Sequence, residues 1–173
     1  MKRHLVLIGL PGAGKSTVGG KVAAELDTQF VDLDGRIERR SGMSVAKIIN
    51  EFGEARFRQI EGDAMREALE EDPRVISPGG GWAAQPGALE GARARSLIIY
   101  LKSLVTTAVD RLDAALDPRP LMVAQDPITR MRTLLQQREP FYSQAECIVK
   151  TDRRTVEEVV AEVLDLARQK AGW

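Results

Sequence analysis

Cysteine and histidine are nearly absent, with one of each, Cys147 and His4, in 173 residues. One cysteine excludes an internal disulfide, and the two residues are too few for a Cys/His metal site. Neither sign of charge is in excess, with 25 basic against 25 acidic side chains. That balance removes any global attraction to nucleic acid or to an anionic membrane, while leaving room for a local positive pocket. Long apolar runs are also missing. The longest early one, Leu5 to Leu10, is too short for a signal core or a membrane span. No repeat, low-complexity block or linker divides the chain. Hydrophobic residues nonetheless make up 43% and charged ones 29%, a composition that excludes intrinsic disorder. A chain of this length forms one domain and buries about 70% of its unfolded surface. The expectation is a cytosolic, reduced, monomeric single domain over 1–173, with no nucleic-acid or membrane partner.

Short β-rich runs alternate with longer amphipathic stretches, the pattern of a parallel sheet covered by helices. Leu5–Ile8 is apolar on both faces, as a strand between two helical layers must be. A glycine-rich turn and a helical pattern from Lys15 to about Leu26 follow. Gln29–Asp34 reads as a second strand ending in acids. Helical stretches are expected over Ser44–Phe52 and Glu54–Glu71, and further strands over Arg74–Ser77, Ser96–Leu101 and Cys147–Thr151. Asp126-Pro127 marks one helix start, and Thr155 with Glu158 forms a capping box at another. Residues 112–125 hold two prolines and few periodic apolar positions, and read as a mobile loop within a helical region. Five strands with helical crossovers give a doubly wound α/β sheet, whose ligands bind beyond the carboxyl ends of the strands.

The most informative residues do follow strands. Gly9-Leu10-Pro11-Gly12-Ala13-Gly14-Lys15-Ser16 fits the Walker A pattern, directly after the first strand and opening the first helix. Its glycines, with Ala13 between Gly12 and Gly14, let backbone N–H groups turn toward phosphate oxygens, and the helix N-terminus adds its positive end. Lys15 is expected to reach the β- and γ-phosphates of ATP or GTP, Ser16 to ligate Mg²⁺, and Thr17 to add a donor nearer the nucleoside. The alternative, a glycine-rich turn carrying a surface lysine, requires a chance match at roughly 1 in 200 for such a chain.

Other positions read two ways. Asp32 and Asp34 alternate with Val31 and Leu33, so both carboxylates are expected on one side of a strand end. One could hold Mg²⁺ and the other orient an acceptor hydroxyl, or Asp34-Gly35 could simply favour a turn. Arg58 lies beside the stripe Phe57, Ile60, Ala64 and Ala68; it is either a surface i,i+3 partner of Glu61 or a fork for a substrate carboxylate. Arg119 between Pro118 and Pro120 suits a lid arginine closing on transferring phosphates. Arg138 precedes Glu139-Pro140-Phe141-Tyr142 at a helix end, where the alternative to a functional role is a favourable interaction with the helix dipole. Arg111 and Arg153 read as neighbours of a purine or as surface charge. Gly79-Gly80-Gly81 permits close approach of a ligand, or a tight turn before Trp82. Trp82 and His4 read as packing or surface.

Taken together, five pieces in order resemble the shikimate kinase family, P-loop enzymes that phosphorylate the 3-hydroxyl of shikimate in aromatic amino acid biosynthesis. They are Gly9-x4-Gly14-Lys15-Ser16; Asp32-x-Asp34; Gly53-Glu54-x-x-Phe57-Arg58-x-x-Glu61; Gly79-Gly80-Gly81; and Arg119-Pro120-Leu121 followed by Arg138-x-x-x-Tyr142. The resemblance implies a nucleoside-monophosphate-kinase type of fold with a helical substrate-binding region at about 33–61 and a lid at about 112–125. It implies ATP and shikimate as substrates with Mg²⁺ as cofactor. Ser16 would ligate the ion directly and Asp32 through water. Asp34 would bind shikimate hydroxyls and orient or deprotonate the attacking one. Arg58 and Arg138 would clamp the carboxylate, with Gly79 to Gly81 lining that pocket. Arg119 would close on the phosphates, with Arg111, and Arg153 beside it, near the adenine. Trp82 and the Ser77-Pro78 entry depart from the family pattern. The rival readings are a gluconate kinase, whose acceptor is also a carboxylate, and a nucleotide-binding module with no small-molecule acceptor.

Overall fold

The computed structural model describes residues 1–115 and 126–173. Five parallel strands, β1 (His4–Ile8), β2 (Phe30–Asp32), β3 (Val75–Ser77), β4 (Ser96–Lys102) and β5 (Cys147–Lys150), lie in the order β2-β3-β1-β4-β5. β1 runs beside β3 on one side and β4 on the other, so its main chain and both its faces are enclosed. All five of its residues are buried. Side-chain alternation divides them between two cores. Leu5 and Leu7 face the layer of α1 (Lys15–Glu25) and α8 (Val156–Lys170), where Val18, Val22, Val159 and Val163 complete the packing. Val6 and Ile8 face the opposite layer with Ile76, Ile98 and Tyr100.

That second layer contains α2 (Leu33–Ser41), α3 (Val45–Phe52), α4 (Glu54–Glu70), α5 (Ala88–Arg93), α6 (Val105–Ala115) and α7 (Pro127–Tyr142), with a 3-10 turn at Trp82–Ala84. Two of its helices and α8 carry side-chain caps. Ser44 accepts from the Lys47 N–H ahead of α3, and Asp126 from the Thr129 N–H ahead of α7. Thr155 and Glu158 form the reciprocal capping box of α8, as the sequence indicates. Trp82 and His4, 4% and 3% exposed, are packing residues.

Two sequence expectations are corrected. The second strand stops at Asp32, and α2, which the strand pattern concealed, begins at Leu33. An acid in the first turn, Arg39 and Arg40 in the last, and Gly42 in the left-handed conformation (φ 68°) just beyond it stabilise a helix there. The segment read as a loop from 112 is helical through Ala115. Residues 116–125, which include the expected lid arginine Arg119, lie outside the described part of the chain.

Candidate active site

A cavity of about 630 Å³ opens beyond the carboxyl ends of the strands. The loop after β1 forms one wall, from Pro11 to Val18; Asp32, Asp34 and Ser77 to Gly80 form another; Arg111, Thr151 and Arg154 to Val156 close the far end. The loop turns through positive φ at Gly9, Gly12 and Gly14. Gly14 then caps α1 without any side-chain hydrogen bond, leaving first-turn N–H groups free of a side-chain acceptor. The Lys15 ammonium folds back over the loop, donating to the carbonyls of Gly9 (2.9 Å) and Leu10 (2.8 Å). Burial, with the Arg138 charge next in weight, lowers its pKa to about 8; Asp34 and Asp32 oppose that shift.

Asp34 is on α2, so strand alternation does not explain why it shares the cavity with Asp32; the first helical turn does. Its Oδ1 is buried and lacks a hydrogen-bond partner. Burial, followed by Asp32 and Glu38, raises the carboxyl above its ordinary value, against the pull of Arg58 and Lys15.

Arg58 and Glu61 are not a surface pair. Glu61 is 0% exposed, and its Oε2 accepts from Arg58 Nη1 at 2.7 Å while Oε1 is buried without a partner. Burial raises the Glu61 carboxyl and the Arg58 guanidinium counteracts it. The triple glycine explains the crowding here. A Cβ on Gly79 would lie 2.5 Å from Glu61 Oε1 and 2.9 Å from Asp34 Oδ1. One on Gly80 would lie 2.7 Å from Arg138 Nη1, and one on Gly81 would collide with the Arg58 guanidinium. The close approach expected of a ligand is therefore made by the protein's own site side chains. Gly79 and Gly80 line the cavity, and Arg138 and Arg58 lie against Gly80 and Gly81 respectively.

Among the adenine candidates, Arg111 lines the cavity's far end, donating to the carbonyls of Ala13 and Thr151. Arg153 is exposed at a positive φ of 55° and is not among the lining residues, whereas its neighbour Arg154 is. Arg154 was missed because its only local signal is that it precedes the Thr155 cap. Tyr142 was noticed only as part of a spacing, yet it is 0% exposed and its hydroxyl donates to the Gly80 carbonyl at 2.6 Å. Among the described residues no cluster of three His, Cys, Asp or Glu side chains is placed to hold a metal. Ser16 and Asp32 do both line the cavity, offering a hydroxyl and a carboxylate.

A loop suited to phosphates on one wall and an unpartnered carboxylate on another suit phosphoryl transfer to a hydroxyl, and the sheet around them is that of a P-loop kinase. Comparison with known proteins narrows the class. The family model described as shikimate kinase matches residues 11–168. A shikimate kinase of Caldanaerobacter subterraneus subsp. tengcongensis is 39% identical over 162 residues, covering 94% of each chain. The structure of shikimate kinase from Acinetobacter baumannii in complex with shikimate superposes with a TM-score of 0.87 at 30% identity, covering 98% of this chain and 94% of that one. The chain belongs to the shikimate kinase family. A gluconokinase from Sinorhizobium meliloti covers 99% of this chain and 94% of its own with a TM-score of 0.65, and at 16% identity it shares the fold alone.

Proposed function

We propose that this chain transfers the γ-phosphoryl group of MgATP to the 3-hydroxyl of shikimate, giving shikimate 3-phosphate and ADP in aromatic amino acid biosynthesis. The observation that carries the reading is the unpartnered, buried Oδ1 of Asp34, set against the glycine wall in the field of Lys15 and Arg58. A carboxylate so placed accepts a hydrogen bond from an alcohol and takes its proton as the hydroxyl oxygen attacks phosphorus. The bond from the γ-phosphorus to the bridging oxygen breaks, and its electron pair leaves with ADP.

Lys15 would exchange its two carbonyl contacts for phosphate oxygens and stabilise the charge spread over the transferring group. The free N–H groups at the start of α1 add to that field. Ser16 and Asp32 provide hard oxygen donors in a sparse set, which suits an ion that keeps most of its waters. Bound there, Mg²⁺ would neutralise phosphate charge. Arg58, held by Glu61, and Arg138, held against Gly80, offer planar forks for the shikimate carboxylate. Arg111 and Arg154 would flank the base of the nucleotide. The reading includes a cytosolic monomer, in keeping with a chain whose single thiol, Cys147, is buried; light scattering checks the monomer.

The test is ADP release from MgATP by the purified protein with shikimate, with gluconate and with no acceptor. Release dependent on shikimate alone is expected. Equal stimulation by gluconate refutes the acceptor assignment, and release indifferent to both acids refutes the kinase reading.

A further inference from the structure

Gly9 and Gly80 belong to different walls of the site. Gly9 follows β1 and opens the phosphate loop, while Gly80 follows β3 and forms part of the acceptor wall. β1 and β3 pair in register at Leu5–Val75 and Val6–Ile76. Gly9 and Gly80 lie beyond those pairs; Gly9 is buried and Gly80 partly so, and a buried acceptor left without a donor costs about 1–3 kcal/mol. A side chain from α7 serves both. The Tyr142 hydroxyl lies 2.6 Å from the Gly80 oxygen and 3.3 Å from the Gly9 oxygen. A phenol has a single proton, so two carbonyls share one donor.

The second acceptor has a second source. Gly9 O also receives the Lys15 ammonium at 2.9 Å. With the lysine folded onto its own loop, Gly9 O is satisfied and the phenolic proton is available to Gly80 O, matching the shorter of the two distances. The phenol itself has little freedom. Its ring packs 5.1 Å from that of Tyr100. The Tyr100 hydroxyl donates to Glu139 Oε2 at 2.6 Å, and Lys102 donates to Glu139 Oε1 at 2.5 Å, fixing the end of α7 to β4. Burial, foremost, keeps the Tyr142 hydroxyl above its usual pKa and so protonated as a donor.

We propose that Tyr142 is a positioning residue that couples the nucleotide and acceptor subsites by moving its one hydroxyl proton from Gly80 O to Gly9 O when phosphates draw Lys15 away. The Gly80 oxygen is then free to accept from a hydroxyl of the acceptor, so each ligand binds more tightly in the presence of the other, by the same factor in both directions. The inference rests on the kinase reading above.

The test measures binding rather than turnover, so the two ideas can fail separately. The magnesium complex of AMP-PNP and shikimate are titrated calorimetrically, each alone and with the other saturating, into wild type, Tyr142→Phe and Tyr100→Phe. Wild type and Tyr100→Phe are expected to show at least fivefold mutual tightening. Tyr142→Phe, whose Gly80 oxygen never receives a phenolic proton, is expected to lose more than half of it on a logarithmic scale, because shikimate alone binds this variant nearly as tightly as it binds nucleotide-saturated wild type. A purely structural role would weaken both single affinities and leave their coupling, and that outcome overturns the proposal. So does a Tyr142→Phe protein that keeps most of the coupling, or a wild type that has none. If shikimate fails to bind wild type under any condition, the functional reading falls as well. Should Tyr142→Phe not fold, amide exchange in wild type decides. AMP-PNP without shikimate is expected to change exchange at least twofold at Trp82, whose N–H donates to Gly79 O at 3.0 Å. Unchanged exchange there overturns the proposal.

Discussion

Replacing Lys15 by Met should abolish most of the activity and yet stabilise the ligand-free protein at neutral pH. In the folded chain, burial and then Arg138 bring the ammonium from 10.5 to about 8. At about 1.36 kcal/mol per pKa unit, holding the charged form in that place costs about 3 kcal/mol at pH 7. Met keeps most of the stem and removes the charge. It also removes two donor contacts, to Gly9 O and Leu10 O, each contributing about 1 kcal/mol net. The balance is a gain of about 1 kcal/mol at pH 7. The sign reverses with pH. Between the folded and unfolded pKa values the unfolded chain binds the extra proton, so wild type gains stability as pH rises, whereas the variant has no such group. Wild type should gain about 2 kcal/mol relative to the variant between pH 7 and about pH 9.5, making Lys15→Met the less stable protein at the upper end. Urea unfolding of both proteins at the two pH values reads this directly, and steady-state kinetics should show kcat reduced by about 100-fold or more. A variant that is less stable at both values by the same amount would refute the electrostatic argument. Retained turnover would refute the phosphate-loop assignment.

Asp34→Asn should lower kcat by about 100-fold or more with little change in nucleotide affinity. In the wild type, kcat/KM should fall on the acid side with an apparent pKa above the ordinary 3.8, because burial raises the group that must be ionised; an acid limb at or below that value would refute the assignment. Gly79→Ala introduces a methyl 2.5 Å from Glu61 Oε1 and 2.9 Å from Asp34 Oδ1. It should raise the shikimate KM by about tenfold, at an overpacking cost of about 1–3 kcal/mol; an unchanged KM would count against the wall. Glu61→Ala leaves the Arg58 guanidinium without its buried partner and should destabilise the fold by about 3 kcal/mol, measured by urea unfolding, with a higher shikimate KM. A variant as stable as wild type would return the pair to surface status.

The glycine-rich turn between an all-apolar strand and a helix was legible because its chemistry is local: consecutive residues make the cradle. The capping box at Thr155–Glu158 and the cap at Asp126 were legible for the same reason. Asp34 was found for a partly wrong reason. Alternation along a strand put it beside Asp32, whereas the chain turns into α2 at Leu33 and the first helical turn does so. Arg153 and Arg154 are adjacent and identical, so local sequence does not distinguish them; in the fold Arg154 lines the cavity and Arg153 is exposed.

By itself the sequence determined the parallel α/β sheet, the phosphate loop and the family, since periodicity, turn chemistry and spaced motifs are all properties of short stretches of chain. Only the tertiary structure decided which groups are orphaned or shared. Glu61 is a surface ion-pair partner by its spacing, and a fully buried carboxylate with one free oxygen by its packing against Gly79. Tyr142 has no local partner for its hydroxyl. Its acceptors come from residues 62 and 133 positions away, brought together because β1 and β3 end side by side beneath the last turn of α7. Desolvation, which sets the pKa values of Lys15 and Asp34, depends on everything packed around a group and so appears only once the chain has folded.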